Sequence, residues 1–243
     1  MNGKIAAFFD LDGTLIPEPS LERRILLSLR RAGCIPYSNY LRWLVEAIRL
    51  SPSGLLAVQH ANKRYLTGLN VDLALELMDS VAFFEEGITR VVWHARQAHP
   101  IVLITGTLHP LAQLAAWTLE CELEARGLAI RVHVLATPLE EERGCWTGYL
   151  AGHALYGGAK ARAIAALAHE RQWNLSESHA YGNSPLDRDF LSAVGYGHAV
   201  NPGRQLAAIA NEKDWPIWHW QQEKALAVRV NGGSEIQSTE GQA

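Results

Sequence analysis

The chain alternates between apolar runs of strand length and longer segments in which apolar residues recur at helical spacing. The first apolar run, from Ile5 to Phe9, predicts a buried strand and leads directly into Asp10, Asp12 and Gly13. Buried strands of parallel sheets are hydrophobic throughout, and ligands collect at their carboxyl ends, so we expect both carboxylates at a ligand site. Neighbouring carboxylates repel unless a cation or a shared proton relieves them, which indicates Mg²⁺.

The segment from residue 17 to about residue 80 is predicted to contain only helices. Its apolar residues keep helical spacing, with breaks at residues 34–38, 52–54 and 68–70. About three or four helices with no strand between them indicate a small helical bundle inserted after the first strand.

From residue 85 onwards, helices and strands are predicted to alternate. Two features there carry chemistry. A strand over 101–104 ends in Thr105 and Gly106, a hydroxyl and a close-approach position suited to phosphate. Lys160 begins a helix, where the helix dipole disfavours a cation, so an anion is expected nearby. The predicted helices are 85–98, 111–126, 161–170 and 205–211, and the other strands are 130–135, a hairpin around 146–150, and end strands near 196–200 and 215–220.

Composition narrows the class of protein. The chain has 243 residues, of which 48% are hydrophobic and 19% charged, with a net charge of -3. These values are typical of a folded globular protein. The sequence shows no basic patch for nucleic acid, no apolar run of about 18 residues for a membrane span, and no signal-peptide layout. We therefore expect a cytoplasmic protein without nucleic-acid or membrane partners.

The motifs, in this order, resemble those of the haloacid dehalogenase-like (HAD) phosphotransferase superfamily. Asp10-Leu-Asp-Gly-Thr resembles the first motif, the strand ending at Thr105 the second, Gly157-Gly-Ala-Lys160 the third, and Tyr181-Gly-Asn-Ser with Asp187 the fourth. The inserted helices resemble the cap of subgroup IB, which includes the phosphoserine phosphatases. The resemblance, over residues 5–220, implies an α/β fold: a Rossmann-like, doubly wound parallel sheet with an inserted α-helical bundle cap. Residues 1–16 and 81–230 would form the core, 17–80 the cap, and 231–243 a disordered tail.

The resemblance also implies a role for each motif residue. Asp10 would be the nucleophile that becomes an aspartyl phosphate, and Asp12 the general acid and base. Arg64 is similar to the cap arginine that grips a substrate carboxylate, although a solvated surface arginine is the alternative. Pro19 stands near the place of an acidic cap residue that meets the amino group of phosphoserine. The expected catalytic residues are Asp10, Asp12, Thr105 and Lys160; the metal ligands are Asp10, Asp12, Asn183 and Asp187; the substrate-binding residues are Glu18, Ser20, Arg64, Gly106 and Thr107.

Asn183 is the one departure from the fourth motif, because the family has aspartate, a direct metal ligand, at that position. An amide oxygen can still bind Mg²⁺, but the site loses one negative charge. We therefore expect a Mg²⁺-dependent phosphatase that hydrolyses a small-molecule phosphomonoester through an aspartyl phosphate. The alternatives are a phosphotransferase and a catalytically impaired phosphate-binding protein. The expected partner is a small phosphorylated metabolite, and a homodimer is left open.

Overall fold

The computed structural model describes residues 3–78 and 81–221. The strands are β1 (Ala7–Phe9), β2 (Ile101–Leu108), β3 (Val132–Thr137), β4 (Leu139–Glu142), β5 (Cys145–Leu150), β6 (His179–Gly182), β7 (Tyr196–Val200) and β8 (Ile217–Trp218). The helices are α1 (Leu21–Arg31), α2 (Tyr37–Leu50), α3 (Leu55–Ala61), α4 (Val71–Glu76), α5 (Glu85–Arg96), α6 (His109–Ala125), α7 (Gly158–Arg171), α8 (Arg188–Ser192) and α9 (Arg204–Glu212).

Six of the strands form one parallel sheet in the order β3-β2-β1-β6-β7-β8. Strand β1 lies between β2 and β6, with Phe9 beside Leu103 on one side and Tyr181 on the other. The chain therefore reverses its direction of winding next to β1. In open parallel sheets this reversal creates the crevice in which ligands bind.

The sheet is covered by helices on both faces, as the doubly wound prediction requires. Side chains of β1 alternate between the two layers: Phe9 packs with Val91 of α5 and Leu119 of α6, whereas Phe8 packs with Ile164 of α7 and Phe190 of α8. All of these side chains are fully buried. Burial on both faces explains why β1 is an uninterrupted hydrophobic run.

Helices α1 to α4 follow β1 and precede α5, where the sequence predicted an inserted bundle. Asn39 of α2 is fully buried and donates to the main-chain oxygen of Thr67 at 2.7 Å. The hairpin β4–β5 is hydrogen bonded to this helical segment near residues 68–69. The Gly68 amide donates to the Trp146 carbonyl at 2.7 Å, and the Trp146 amide donates to the Leu69 carbonyl at 2.9 Å. The hairpin thus ties the inserted helices to the rest of the chain.

Most predicted elements are present with bounds shifted by a few residues. The end strand predicted near 215–220 pairs only at Ile217 and Trp218, and Pro216, which has no amide hydrogen, directly precedes this pairing. Strand β2 continues to Leu108, four residues beyond its predicted end. The predicted disordered tail, residues 231–243, lies outside the described residues. In the parts of the chain that the structure describes, each helix is too short or too polar to cross a lipid bilayer.

Candidate active site

Asp10 lies at the carboxyl end of β1 and is 5% exposed. Its Oδ1 accepts a hydrogen bond from Lys160 Nζ at 2.6 Å, and its Oδ2 accepts one from the Thr14 hydroxyl at 3.0 Å. Burial raises the pKa of Asp10 to about 7, and the Asp187 carboxylate adds to this, while the Lys160 cation opposes it. The carboxylate is therefore held in one orientation by two donors.

Lys160 joins Asp10 to a second buried acid. Its Nζ also donates to Asp187 Oδ1 at 2.7 Å, and Lys160 and Asp187 are 5% and 1% exposed. Burial alone would lower the pKa of Lys160, but the carboxylates of Asp10 and Asp187 hold it above its ordinary value. The two carboxylates thus supply the anionic partner that a lysine in the first turn of α7 was expected to need.

Asp187 is positioned by its own turn. Its Oδ2 accepts from the Ser184 amide at 3.0 Å, while the Ser184 hydroxyl accepts from the Leu186 amide at 3.2 Å, which makes a capping box. Gly182 is required beside it, since a Cβ there would lie 2.9 Å from Asp187 Oδ2. The turn after β6 therefore holds the Asp187 carboxylate within hydrogen-bonding distance of Lys160.

Asp12 is oriented by two donors from different segments. Its Oδ1 accepts from the Leu21 amide at 2.8 Å, and its Oδ2 accepts from the hydroxyl of Thr107. Burial raises the pKa of Asp12, and its two hydrogen bonds oppose that rise. A carboxyl group with a raised pKa, fixed beside another acid, is suited to proton transfer near neutral pH.

The end of β2 brings hydroxyl groups to the same place. Thr105 and Thr107 are 1% and 4% exposed, and the Thr107 amide donates to Thr105 Oγ1 at 3.1 Å. The pairing of β2 with β3 shifts register between Ile104 and Leu108. Such irregularities are common beside active sites, where they redirect side chains and free backbone amides from the ladder.

Asn183 approaches the main chain of the first loop very closely. A Cβ on Gly13 would lie 2.0 Å from Asn183 Nδ2, and Gly13 has φ +79°. Glycine is therefore needed at this position for both its space and its backbone conformation. The contact places the Asn183 amide beside the loop that carries Asp10 and Asp12.

These groups open onto one cavity of about 910 Å³. The structure brings almost all of the predicted site residues to its wall. The lining includes Asp10, Asp12, Glu18, Ser20, Thr105, Gly106, Thr107, Lys160, Asn183 and Asp187. Arg64 is the exception: its guanidinium donates to the Thr147 carbonyl at 2.7 Å and lies 4.0 Å from the centre of the Tyr149 ring.

Comparison with known proteins places the fold and the site in a family. The sequence model of the haloacid dehalogenase-like hydrolases matches residues 7–192, more than half of the chain. The chain belongs to this family. The matched range of this HAD-like hydrolase includes the loop with Asp10 and Asp12, the end of β2, Lys160 and the turn with Asp187.

Individual relatives of the HAD-like hydrolase support a phosphatase of the phosphoserine phosphatase type. A phosphoserine phosphatase of Mycobacterium tuberculosis is 29% identical over 230 residues, covering 87% of this chain and 70% of its own. An inhibition of morphological differentiation protein of Streptomyces azureus is 29% identical over 248 residues, covering 95% and 84%.

Solved structures agree on the fold. A substrate-bound phosphoserine phosphatase complex superposes with a TM-score of 0.60 at 17% identity, over 90% of this chain and 94% of its own. A Bordetella pertussis protein of unknown function superposes with a TM-score of 0.58 at 20% identity, over 89% and 99%.

The structure of this hydrolase adds site residues that the sequence reasoning missed. Glu22 of α1 accepts hydrogen bonds from Lys63 Nζ and, at 2.7 Å, from the Tyr65 hydroxyl, and all three residues line the cavity. Pairing with Glu22, 41 residues from Lys63, had no signal in the sequence.

A second missed contact spans the cavity. The rings of His60 of α3 and Tyr156, which precedes α7, are stacked with centroids 4.5 Å apart, and both line the cavity. Burial lowers the pKa of His60, and the Lys63 cation lowers it further. The stack therefore joins the inserted helices to the segment that carries Lys160.

Proposed function

We propose that this HAD-type phosphatase hydrolyses a small-molecule phosphomonoester with Mg²⁺ through a phosphorylated form of Asp10. The observation that carries the proposal is the Asp10 carboxylate, held by Lys160 and Thr14 at the wall of a large cavity. A fixed carboxylate with a cation beside it is suited to nucleophilic attack on a phosphate, because the cation offsets the repulsion between the two anions.

In the first half of the reaction, an Asp10 oxygen attacks phosphorus and the bond from phosphorus to the alcohol oxygen breaks. Asp12, with its raised pKa, donates its proton to the departing alkoxide. Lys160 and the Thr105 hydroxyl line the same cavity and would hold the phosphoryl oxygens. Positioning and charge neutralisation supply most of the catalysis in phosphoryl transfer.

In the second half, the Asp12 carboxylate takes a proton from water, and the water oxygen attacks phosphorus. The bond between phosphorus and Asp10 breaks, inorganic phosphate leaves, and both side chains return to their starting states. The hydrogen bonds from Leu21 and Thr107 keep Asp12 in one place for both transfers. The net reaction is the phosphomonoester plus water giving an alcohol and phosphate.

The donor set fits Mg²⁺, which prefers oxygen ligands. Asp10 offers a carboxylate, Asp12 its main-chain carbonyl, and Asn183 an amide oxygen, with Asp187 close to Asp10 through Lys160. Within residues 3–78 and 81–221, no group of three or more His, Cys, Asp or Glu side chains is placed to hold a metal ion. When bound, Mg²⁺ would neutralise charge on the phosphoryl oxygens.

The inserted helices are proposed to act as a cap over this site, with residues 17–80 as the cap and residues 1–16 and 81–230 as the core. Residues of α1, α2 and α3 line the same cavity as Asp10 and Lys160. The His60 and Tyr156 stack is a contact between the two parts at the cavity. A phosphorylated metabolite would be enclosed between them.

The test is turnover of para-nitrophenyl phosphate in a Mg²⁺ titration. We expect Mg²⁺-dependent turnover by the native protein and none by Asp10→Asn. Asn183→Asp restores a charge to the metal site, so it should lower the Mg²⁺ concentration for half-maximal rate by about tenfold. Asp189→Asn is the matched control, because Asp189 is exposed and lies outside the cavity lining.

The outcomes separate the alternatives. Turnover by Asn183→Asp alone, with phosphate binding by the native protein, would make the natural chain a phosphate-binding protein. Transfer of phosphate to an added alcohol at the expense of hydrolysis would identify a phosphotransferase. Full activity of Asp10→Asn would overturn the proposed mechanism.

A further inference from the structure

The lining of the cavity contains two chemically different groups of side chains. One group, here called the phosphate end, is Asp10, Lys160 and Thr105, which receive the phosphate under the proposed function. The other is a group of aliphatic and aromatic side chains from both parts of the chain, here called the apolar wall, which stands among polar side chains such as Arg23 and Gln59. The apolar wall consists of Leu26, Trp43, Leu55, Val58, Leu155 and Leu186.

Members of the apolar wall keep much of their surface exposed. Leu55 is 88% exposed and Trp43 is 39% exposed, while Leu26, Val58 and Leu155 are half-buried. Apolar side chains that line a cavity without being covered by the protein present a surface that gains free energy when a ligand covers it.

Two charged groups of the inserted helices that could bind the ends of an amino-acid substrate are occupied within the protein. Glu22, an acid on the cavity wall, already binds Lys63 and Tyr65, so a substrate ammonium would have to displace the buried Lys63. Arg64, the residue expected to grip a carboxylate, is turned to Thr147 and Tyr149. The cavity is also larger than a seryl group needs, since a volume near 900 Å³ is typical of sites for drug-sized ligands.

We propose that the substrate is an amphiphilic phosphomonoester, a phosphate esterified to a long apolar alcohol whose chain lies along the apolar wall. The inference rests on the proposed function for the identity of the phosphate end. It assigns the apolar wall to the alcohol part of the substrate, because the apolar wall and the phosphate end line the same cavity. The reaction is unchanged: the phosphorus to oxygen bond breaks, and the alcohol and phosphate leave.

The test is a series of straight-chain alkyl phosphates from ethyl to dodecyl, each used below the concentration at which it forms micelles, with O-phosphoserine for comparison. Each methylene that reaches the apolar wall should raise kcat/KM by about two- to fourfold, the range expected for partial to full burial. The increase should end once the wall is covered. Equal kcat/KM across the series, or preference for O-phosphoserine, would overturn the inference and leave the phosphatase proposal standing.

Two neutral substitutions locate the effect. Val58→Asn and Leu55→Asn should each lower kcat/KM for octyl phosphate by about fivefold or more relative to any change for ethyl phosphate. Leu55 is exposed, so Leu55→Asn should fold and still test the contribution of the apolar wall to kcat/KM if Val58→Asn fails to fold. Ile48→Asn is the matched control, because Ile48 of α2 is 67% exposed but lies outside the cavity lining. Equal losses on ethyl and octyl phosphate would contradict the assignment.

A binding measurement separates this inference from the proposed function. Alkyl phosphonates keep the anionic group and the alkyl chain but cannot be hydrolysed. Calorimetry therefore measures how much the apolar wall contributes to binding affinity without turnover. Affinity that rises with chain length supports the inference even if every ester is inert, whereas affinity independent of chain length overturns it. Dodecyl phosphate offered in solution and in phosphatidylcholine vesicles then shows whether the chain comes from a free or a membrane-borne amphiphile, and faster turnover of either form supports the inference.

Discussion

Replacing Lys160 by methionine removes the only positive charge that contacts both Asp10 and Asp187 among the described residues. At 2.6 and 2.7 Å, each attraction is worth about 6 kcal/mol at an effective dielectric constant of about 20, before desolvation is subtracted. Breaking a buried pair on one side costs about 3–5 kcal/mol, because a charge is left without a partner. Domains are stable by about 5–15 kcal/mol, so Lys160→Met should fold with a large loss of stability.

Activity should fall further than stability alone explains. Loss of the cation beside the phosphoryl group is expected to lower kcat by about 100-fold or more, the range seen when one charge-stabilising donor is removed. The assays are urea unfolding and para-nitrophenyl phosphate turnover on the same preparations. Lys160→Met combined with Asp187→Asn should recover part of the stability and none of the activity, because it removes one uncompensated carboxylate but restores no cation.

The control is Lys213→Met, the same change at an exposed lysine, which should leave both quantities unchanged. The reasoning would be refuted if Lys160→Met unfolds at a lower urea concentration yet keeps kcat/KM close to the native value. Lys160 would then be a structural residue only.

Three further predictions follow from contacts near and away from the site. Gly13→Ala places a Cβ 2.0 Å from Asn183 Nδ2 at φ +79°. It should lower the free energy of unfolding in urea by about 1–2 kcal/mol and raise the Mg²⁺ concentration needed for half-maximal rate. An unchanged Mg²⁺ titration would contradict the packing described for the Asn183 amide. Thr137→Val removes the 2.7 Å hydrogen bond to the Gly106 carbonyl. We expect a loss of about 1–3 kcal/mol in unfolding free energy and a higher KM in the turnover assay. Equal stability of the variant and the native protein would show that the hydroxyl is not needed. His94 is fully buried, and burial, with neighbouring histidines, lowers its pKa to about 2, so the unfolded chain binds a proton below about pH 6.5 that the folded state does not. Between about pH 7.5 and pH 5 the native protein should therefore lose about 2 kcal/mol relative to His94→Gln, and parallel pH profiles of unfolding free energy would exclude this linkage.

The apolar strand and the order of motifs were sufficient to predict that the candidate site residues converge. Because parallel strands end at the same edge of the sheet, Asp10, Thr105 and the turn after β6 had to converge once each was assigned to a strand end. The dipole argument for Lys160 was equally local, since it needed only a lysine at a helix start, and the structure supplies the anions that it called for.

The directions of polar side chains in the inserted helical segment could not be predicted from the spacing of apolar residues. Arg64 and Lys63 are adjacent, and which of them enters the cavity depends on how the turn at residues 64–66 sits against α1. The prediction that Arg64 binds substrate lacks support from its position, because hydrogen bonding to the β4–β5 hairpin directs it elsewhere. Contacts between segments distant in sequence determine which side chain enters the cavity, whereas the periodicity of apolar residues carries information only about residues close in sequence.

The central position of β1 has a consequence for how the protein is made. Asp10 precedes its partner Lys160 by 150 residues, and β6, which completes the pairing of β1, comes later still. Such long sequence separations slow folding, because a large loop must close before these contacts form. A ribosome-bound chain therefore carries β1 without its β6 partner until residues 179–182 have emerged. Truncation before β6 would leave an aggregation-prone strand as well as an inactive product.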